Sequence, residues 1–142
     1  MDPLDFKKIA VSLLEIGGAA ACRTAISRAY YSIFLLCRKK INEIGINLPR
    51  DSTAHESVKK YFNNCDDSQL CIVAQKLSDL RIDRNNADYD LTKKYVEKPR
   101  NAKARLETVD RMIDTINKSF SENERDIREK MHEYHKLILG LK

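Results

Sequence analysis

A charged residue, Arg84, stands on an apolar seam. Leu70, Val73, Leu77, Leu80, Arg84, Ala87 and Leu91 recur at steps of three and four residues, the spacing of a helix face that packs against its neighbours. A guanidinium on such a face must be paired and hydrogen-bonded, because burying an uncompensated charge is very costly. Asp88 follows one helical turn later, within pairing reach. Tyr89 and Asp90 complete the polar run Arg84-Asn85-Asn86-Ala87-Asp88-Tyr89-Asp90. These residue types suit phosphate chemistry: Arg84 to bind and stabilise the anion, Asp88 to hold the guanidinium in place, and Tyr89 to contribute a hydrogen bond. The competing role for Arg84 and Asp88 is a structural ion pair that fixes helix register. Arg81, three residues before Arg84, extends the polar stripe. Arg28 and Tyr31, three residues apart on an earlier helical stretch, either complete a cluster with Asp88 or pack with satisfied polar tips.

The elements that must position these groups read as helices throughout. Asp2-Pro3 is an N-cap followed by Pro at the first helical position, and Leu4, Ile9, Leu13, Leu14 and Ile16 carry a first helix to the stop at Gly17-Gly18. A second helix runs from about Ala19 to Ile44, with Cys22, Ile26, Ala29, Ile33, Leu36 and Cys37 as its inner stripe, and Tyr30 and Phe34 beside it. After a loop marked by Pro49, Ser52-Thr53-Ala54-His55-Glu56 offers capping-box chemistry for a shorter third helix ending near Asn63-Asn64. The fourth helix starts after Asp66-Asp67-Ser68 and carries the Arg84 seam to about Leu91. Beyond Pro99, Leu106, Val109, Ile113, Ile116 and Phe120 continue the helical period, and Ile127, Met131, Tyr134, Ile138 and Leu141 extend it. Ser121-Glu122-Asn123-Glu124 resembles a capping box, which places a kink or short break between the two sets. The expected architecture is all-α, an antiparallel helical bundle of four long helices plus one or two shorter ones. Residues 1–120 form the bundle and 121–142 a helical extension packed on it or on a dimer partner.

Composition sets the outer bounds. A chain of 142 residues is most simply one domain with a proper core. Only 4 Gly, 3 Pro and no Trp, beside abundant helix formers, argue for a nearly all-helical protein. No apolar run has the length to span a bilayer, and the start Met1-Asp2-Pro3-Leu4-Asp5 lacks the features of a secretory signal. Cys22, Cys37, Cys65 and Cys71 have no C-x-x-C spacing, so reduced thiols in a cytoplasmic protein are expected. The net charge of +5 is compatible with nucleic acid without being diagnostic of it.

Two motifs together carry a family resemblance. Ser27-Arg28-Ala29-Tyr30-Tyr31-Ser32-Ile33-Phe34 resembles the S-R-A-Y-Y-x-x-F signature of small stand-alone HEPN-fold proteins, and Arg84-Asn85-Asn86-Ala87-Asp88-Tyr89 is similar to the R-x-x-A-D-Y motif of the same group. His55, opening the third helix, occupies a position where such proteins often carry a histidine. The resemblance covers roughly residues 1 to 120. It implies a homodimeric bundle with each motif lining a cleft at or near the dimer interface. Many HEPN proteins are metal-independent ribonucleases, often toxins paired with a nucleotidyltransferase antitoxin or parts of antiviral defence. Their signature is an arginine followed, after four to six residues, by a histidine, and the ribose 2′-hydroxyl attacks the neighbouring phosphate. Here Tyr89 stands five residues after Arg84, and no histidine occurs between Arg84 and His132. A phenol with an ordinary pKa of about 10 is a poor general base near neutral pH.

Other groups have weaker claims. His55 near a helix start is otherwise a surface or capping residue. His132 and His135 have an i, i+3 spacing that a metal could use, but His132-Glu133-Tyr134-His135 is one residue short of H-E-x-x-H and no further ligand stands out, so no metal and no cofactor is expected. Lys93, Lys94, Lys98, Arg100, Lys103 and Arg105 place six cations within thirteen residues, opposed only by Glu97. Following directly on the Arg84 motif, they would meet an RNA backbone entering it; alternatively they form a solubilising helix face. Two functions therefore stand side by side: an RNA-directed HEPN protein of a toxin–antitoxin or defence system, cleaving RNA without metal, or a non-catalytic module that binds RNA, nucleotide or a partner protein. A variant of the second makes Tyr89 the acceptor for nucleotide transfer by an antitoxin enzyme.

Overall fold

The computed structural model describes residues 1–140. Among them are five α-helices: α1 (Leu4–Ile16), α2 (Ala19–Glu43), α3 (Ala54–Asn63), α4 (Ser68–Tyr89) and α5 (Pro99–Ile138). A 3₁₀ turn over Lys94–Glu97 precedes α5, and no strand occurs among the described residues. The molecule is thus the all-α bundle that its breaker-poor, 3.6-period sequence dictates. No helix among the described residues is long and apolar enough to cross a membrane.

The second helix is the axis of the bundle and touches all four others. Its predicted stripe, Cys22, Ile26, Ala29, Ile33, Leu36 and Cys37, is buried together with Tyr30 and Phe34. Burial pushes the Cys22 and Cys37 thiols above their ordinary pKa, and all four cysteines are unpaired. On α4 the seam is buried from Leu70 through Ala87, with Arg84 in it. It stops there. Leu91 lies beyond the helix end at Tyr89, 75% exposed, because the chain turns to extended backbone at Asp90.

The first helix departs most from expectation. Of its apolar residues only Ala10 is fully buried, Leu4, Leu13 and Leu14 pack partly, and Ile9 and Ile16 face solvent. This helix lies at the edge of the bundle against α2 and α5, so one narrow side suffices to hold it. The anticipated capping box of α3 does not form either. Asp51 Oδ1 accepts from both the backbone N–H and the hydroxyl of Thr53, at 2.9 and 2.5 Å, and Thr53 already has helical dihedrals. With Thr53 already in helical conformation, its hydroxyl accepts from no N–H of the first turn of α3.

Asp67 does cap α4: its Oδ1 accepts from the Leu70 N–H at 3.0 Å and also from the Ser119 hydroxyl at 3.4 Å, tying α4 to α5. Asp67→Ala is expected to lower stability by about 1 kcal/mol, the ordinary value of a lost N-cap. Thermal unfolding would read this as a drop of a few degrees.

The fifth helix is kinked where the sequence suggested a break, with Asn123 at φ −130°, ψ 23°. Past the kink, Ile127 and Met131 are buried in the main core, so this segment packs back on the bundle. His132 Nε2 donates to the carbonyl of Ile44 at 2.6 Å, His135 Nδ1 pairs with the Tyr61 hydroxyl, and Tyr134 meets the Tyr61 ring edge-on. The two histidines thus fasten the extension to α3 and to the end of α2. Ile138 is half exposed, and Leu141 lies outside the described residues.

Candidate functional site

Ser27, Tyr30 and Tyr31 fall on one face of α2 because they are three and four residues apart, and that face meets α4. Arg84 comes from α4 into this contact with 6% of its surface exposed. Its guanidinium carbon sits 5.6 Å from the Tyr30 ring centroid and 5.2 Å from that of Tyr31, with Tyr89 covering it at 5.8 Å. The rings supply a favourable electrostatic surface for a cation shielded from water. The pairing with Asp88 forms, but loosely, at 3.6 Å between Nη1 and Oδ2. Asp88 is held instead by the Ser27 hydroxyl, which donates to Oδ2 at 3.0 Å and accepts from Arg28 Nη2 at 3.3 Å. Arg28 lies over Tyr31 and over Phe6 of α1, at 5.0 and 5.1 Å. Arg84, Asp88, Tyr89, Arg28 and Tyr31 are therefore one cluster.

Within it one donor is left over. Arg84 Nε is buried and has no hydrogen-bond partner among the described residues, and the same holds for Arg81 Nε. A purely structural ion pair would saturate such a group, because an unmet buried donor costs about 1–3 kcal/mol. Arg81 and Arg84 stand one helical turn apart on α4, and guanidiniums are the side chains suited to hold an oxyanion.

Arg81 faces α3. Its Nη1 lies 3.8 Å from Glu56 Oε1, and it lines a small cavity of about 10 Å³ with Tyr30, His55 and Leu77, room for about one water molecule. His55 accordingly packs against the aromatic rings of α2 and caps no helix. Its ring stacks on Phe34 at 4.2 Å, and its Nδ1 is 2.5 Å from the Tyr30 hydroxyl. Partial burial, then the nearby charges of Arg81, Arg84 and Arg38, push its pKa down to about 4. A depressed histidine pKa means that the unfolded chain binds the proton more readily. The associated stability is present above about pH 6.5, the unfolded value, and is lost as pH falls towards 4. Following the imidazole protons by NMR should find His55 uncharged at pH 6, and His55→Gln should flatten this part of the acid-unfolding curve.

Lys93 and Lys94 make no ion pair with the cluster among the described residues. Both are exposed, and Lys94 pairs with Glu97 at 3.8 Å. Arg105 is likewise engaged, by Asp83 at 2.6 Å. The basic stretch is therefore partly neutralised by its own neighbours, although Lys98, Arg100 and Lys103 face solvent.

The decisive residue at this end of the molecule is one the sequence did not flag. Arg23 is 8% exposed on α2. Its Nη1 donates to the carbonyls of Asn86, Ala87 and Asp90, each at 3.0 Å, and its Nη2 to that of Lys93 at 3.1 Å. Its Nε donates to Glu97 Oε2 at 2.9 Å. It thereby ties the last turn of α4, at Asn86 and Ala87, to the turn that follows it at Asp90 and Lys93. Beside it, Tyr95 donates to Asp83 Oδ1 at 2.8 Å and accepts from Asn86 Nδ2 at 2.9 Å. Helical periodicity cannot reveal such a residue, because its partners are backbone atoms of a distant turn.

The chain has a distant relative. It is 35% identical over 105 residues to an uncharacterized protein of Methanocaldococcus jannaschii, an alignment covering 61% of this chain and 59% of that protein. The chain thus spans less than two thirds of the relative's length. No family model matches the sequence, and no solved structure matches it.

Proposed function

We propose that this protein acts on RNA as a HEPN-type component of a toxin–antitoxin or defence system, with Arg84 receiving a backbone phosphate. The observation that carries this reading is the unmet, buried Nε–H of Arg84 on a floor of tyrosines. In the enzymatic form, the O2′–P bond forms as the P–O5′ bond breaks, giving a 2′,3′-cyclic phosphate and a free 5′-hydroxyl. The 2′ proton leaves to solvent and the 5′ oxygen regains one, while Arg84 stabilises the charge growing on the non-bridging oxygens. Asp88, fixed by Ser27, keeps the guanidinium in register.

A homodimer is part of this reading. Phe6, Ile9, Leu13 and Ile16 recur at coiled-coil spacing along α1, with Ile9 and Ile16 exposed, and Phe6 also touches Arg28 of the site. The unpaired thiols suit a reducing cytoplasm. A second, non-catalytic reading is favoured by Tyr89: its ring is 77% exposed at the end of α4, accessible as an acceptor for nucleotide transfer.

Incubating the protein with single-stranded and structured RNA tests both. Cleavage to cyclic phosphate ends supports the ribonuclease. Salt-dependent binding without products supports the binding module, and no binding at low salt overturns the RNA assignment. A mass increase of one nucleotide on Tyr89 after co-expression with a nucleotidyltransferase encoded beside it would establish the acceptor role.

A further inference from the structure

We propose that His55 is the third member of the anion site formed with Arg81 and Arg84, donating its Nε2–H to an oxygen of a bound phosphodiester. The inference rests on the anion-binding reading of Arg84 and adds to it a residue from a different helix. His55 and Arg84 flank the same two rings: Tyr30 lies 5.6 Å from each, and Tyr31 lies 6.4 Å from His55 and 5.2 Å from Arg84. His55 and Arg81 line the same cavity of about 10 Å³, room for about one water-sized oxygen, together with Tyr30, Lys59 and Glu56, whose carboxylate lies 3.8 Å from Arg81 Nη1.

The Tyr30 hydroxyl fixes which ring nitrogen faces a ligand. Tyr30 is 1% exposed, and its hydroxyl has no partner except His55 Nδ1 among the described residues. Burial also raises the Tyr30 pKa, so the phenol keeps its proton and donates it. Nδ1 is then the acceptor, and the remaining proton of a neutral imidazole sits on Nε2. No protein group among the described residues bonds Nε2. Partial burial first keeps the ring neutral, and Arg81 and Arg84 from α4 with Arg38 from α2 outweigh Glu56 on its own helix. A neutral donor beside two guanidiniums adds a directed hydrogen bond without adding a third repelling charge. A negatively charged ligand would also offset the arginine field and move the His55 pKa upward.

The probe is a 2′-deoxy dinucleotide, a phosphodiester that no 2′-hydroxyl attack can cleave, titrated into the full chain at pH 7. His55 should appear as the neutral Nε2–H tautomer, its Nε2 proton should move downfield on binding, and its pKa should rise. His55→Ala should weaken binding at least about tenfold, as expected for one hydrogen bond to a charged group. His55→Gln, which keeps an amide donor, should recover most of it. Tyr30→Phe, which retains the ring but frees the tautomer, should weaken it less. If wild-type protein binds the probe with unshifted His55 resonances, or His55→Ala binds equally well, the inference falls while the Arg84 reading stands. If wild-type protein binds no probe, the anion reading itself falls.

Discussion

Arg84→Ala is expected to weaken RNA binding by about 2 kcal/mol, roughly thirtyfold, and to remove any cleavage beyond detection. The magnitude is that of a charge-assisted hydrogen bond, made here by a guanidinium that is 6% exposed and little screened by water. Fold stability should fall as well, by about 1–3 kcal/mol and no more, because Asp88 keeps the Ser27 hydroxyl and some access to solvent. Arg84→Lys tests the geometry. It retains the charge over Tyr30 and Tyr31 but loses the planar fork whose Nε is unmet, so it should recover only part of the affinity. The measurements are an RNA titration at several salt concentrations, a cleavage assay and thermal unfolding. If Arg84→Ala binds with wild-type affinity and salt slope yet is strongly destabilised, Arg84 is a register-fixing ion pair and nothing more.

Arg23→Ala should have the larger structural effect, about 3 kcal/mol, the cost of removing several hydrogen bonds made by a guanidinium that is only 8% exposed. Four backbone carbonyls and the Glu97 carboxylate depend on this one side chain. Removing it takes the side-chain donors from the C-terminal turn of α4 and leaves Glu97 only the exposed Lys94 as an ionic partner. The midpoint of thermal unfolding should fall by roughly 10 °C. Arg23→Lys keeps the charge but cannot present donors to all five acceptors, so it should regain less than half. The Asn86 and Ala87 carbonyls belong to the turn that carries Asp88, so the site loosens with the same mutation. Amide hydrogen exchange over residues 86–90 would show this; unchanged protection there would sink the account.

What could be read along the chain is what local chemistry controls. The α4 seam, the α2 stripe, the start of α4 after Asp66-Asp67-Ser68 and the break at Asn123 all depend on residues within a turn or two of one another. The pairing of Arg84 with Asp88 belongs to the same class, since α-helical geometry brings them together wherever the helix lies. The joining of Ser27, Arg28 and Tyr31 to that pair was legible only as a motif resemblance, because it needs α2 laid against α4. Periodicity erred where burial depends on what a helix meets: Ile9 and Ile16 have apolar spacing, but α1 lies at an edge.

By itself, then, the sequence determined the helical class, the main helix boundaries and the presence of a charge on a buried face. The tertiary structure decided the rest. It set His55 against Tyr30 and beside Arg81, left two guanidinium Nε groups unmet, paired Lys94 with Glu97, and gave the end of α4 to Arg23. Each of these depends on the approach of helices far apart in the chain. Residue spacing constrains a helix's own surface, whereas hydrogen bonds to another helix's carbonyls and the field of distant charges are set only when the helices pack.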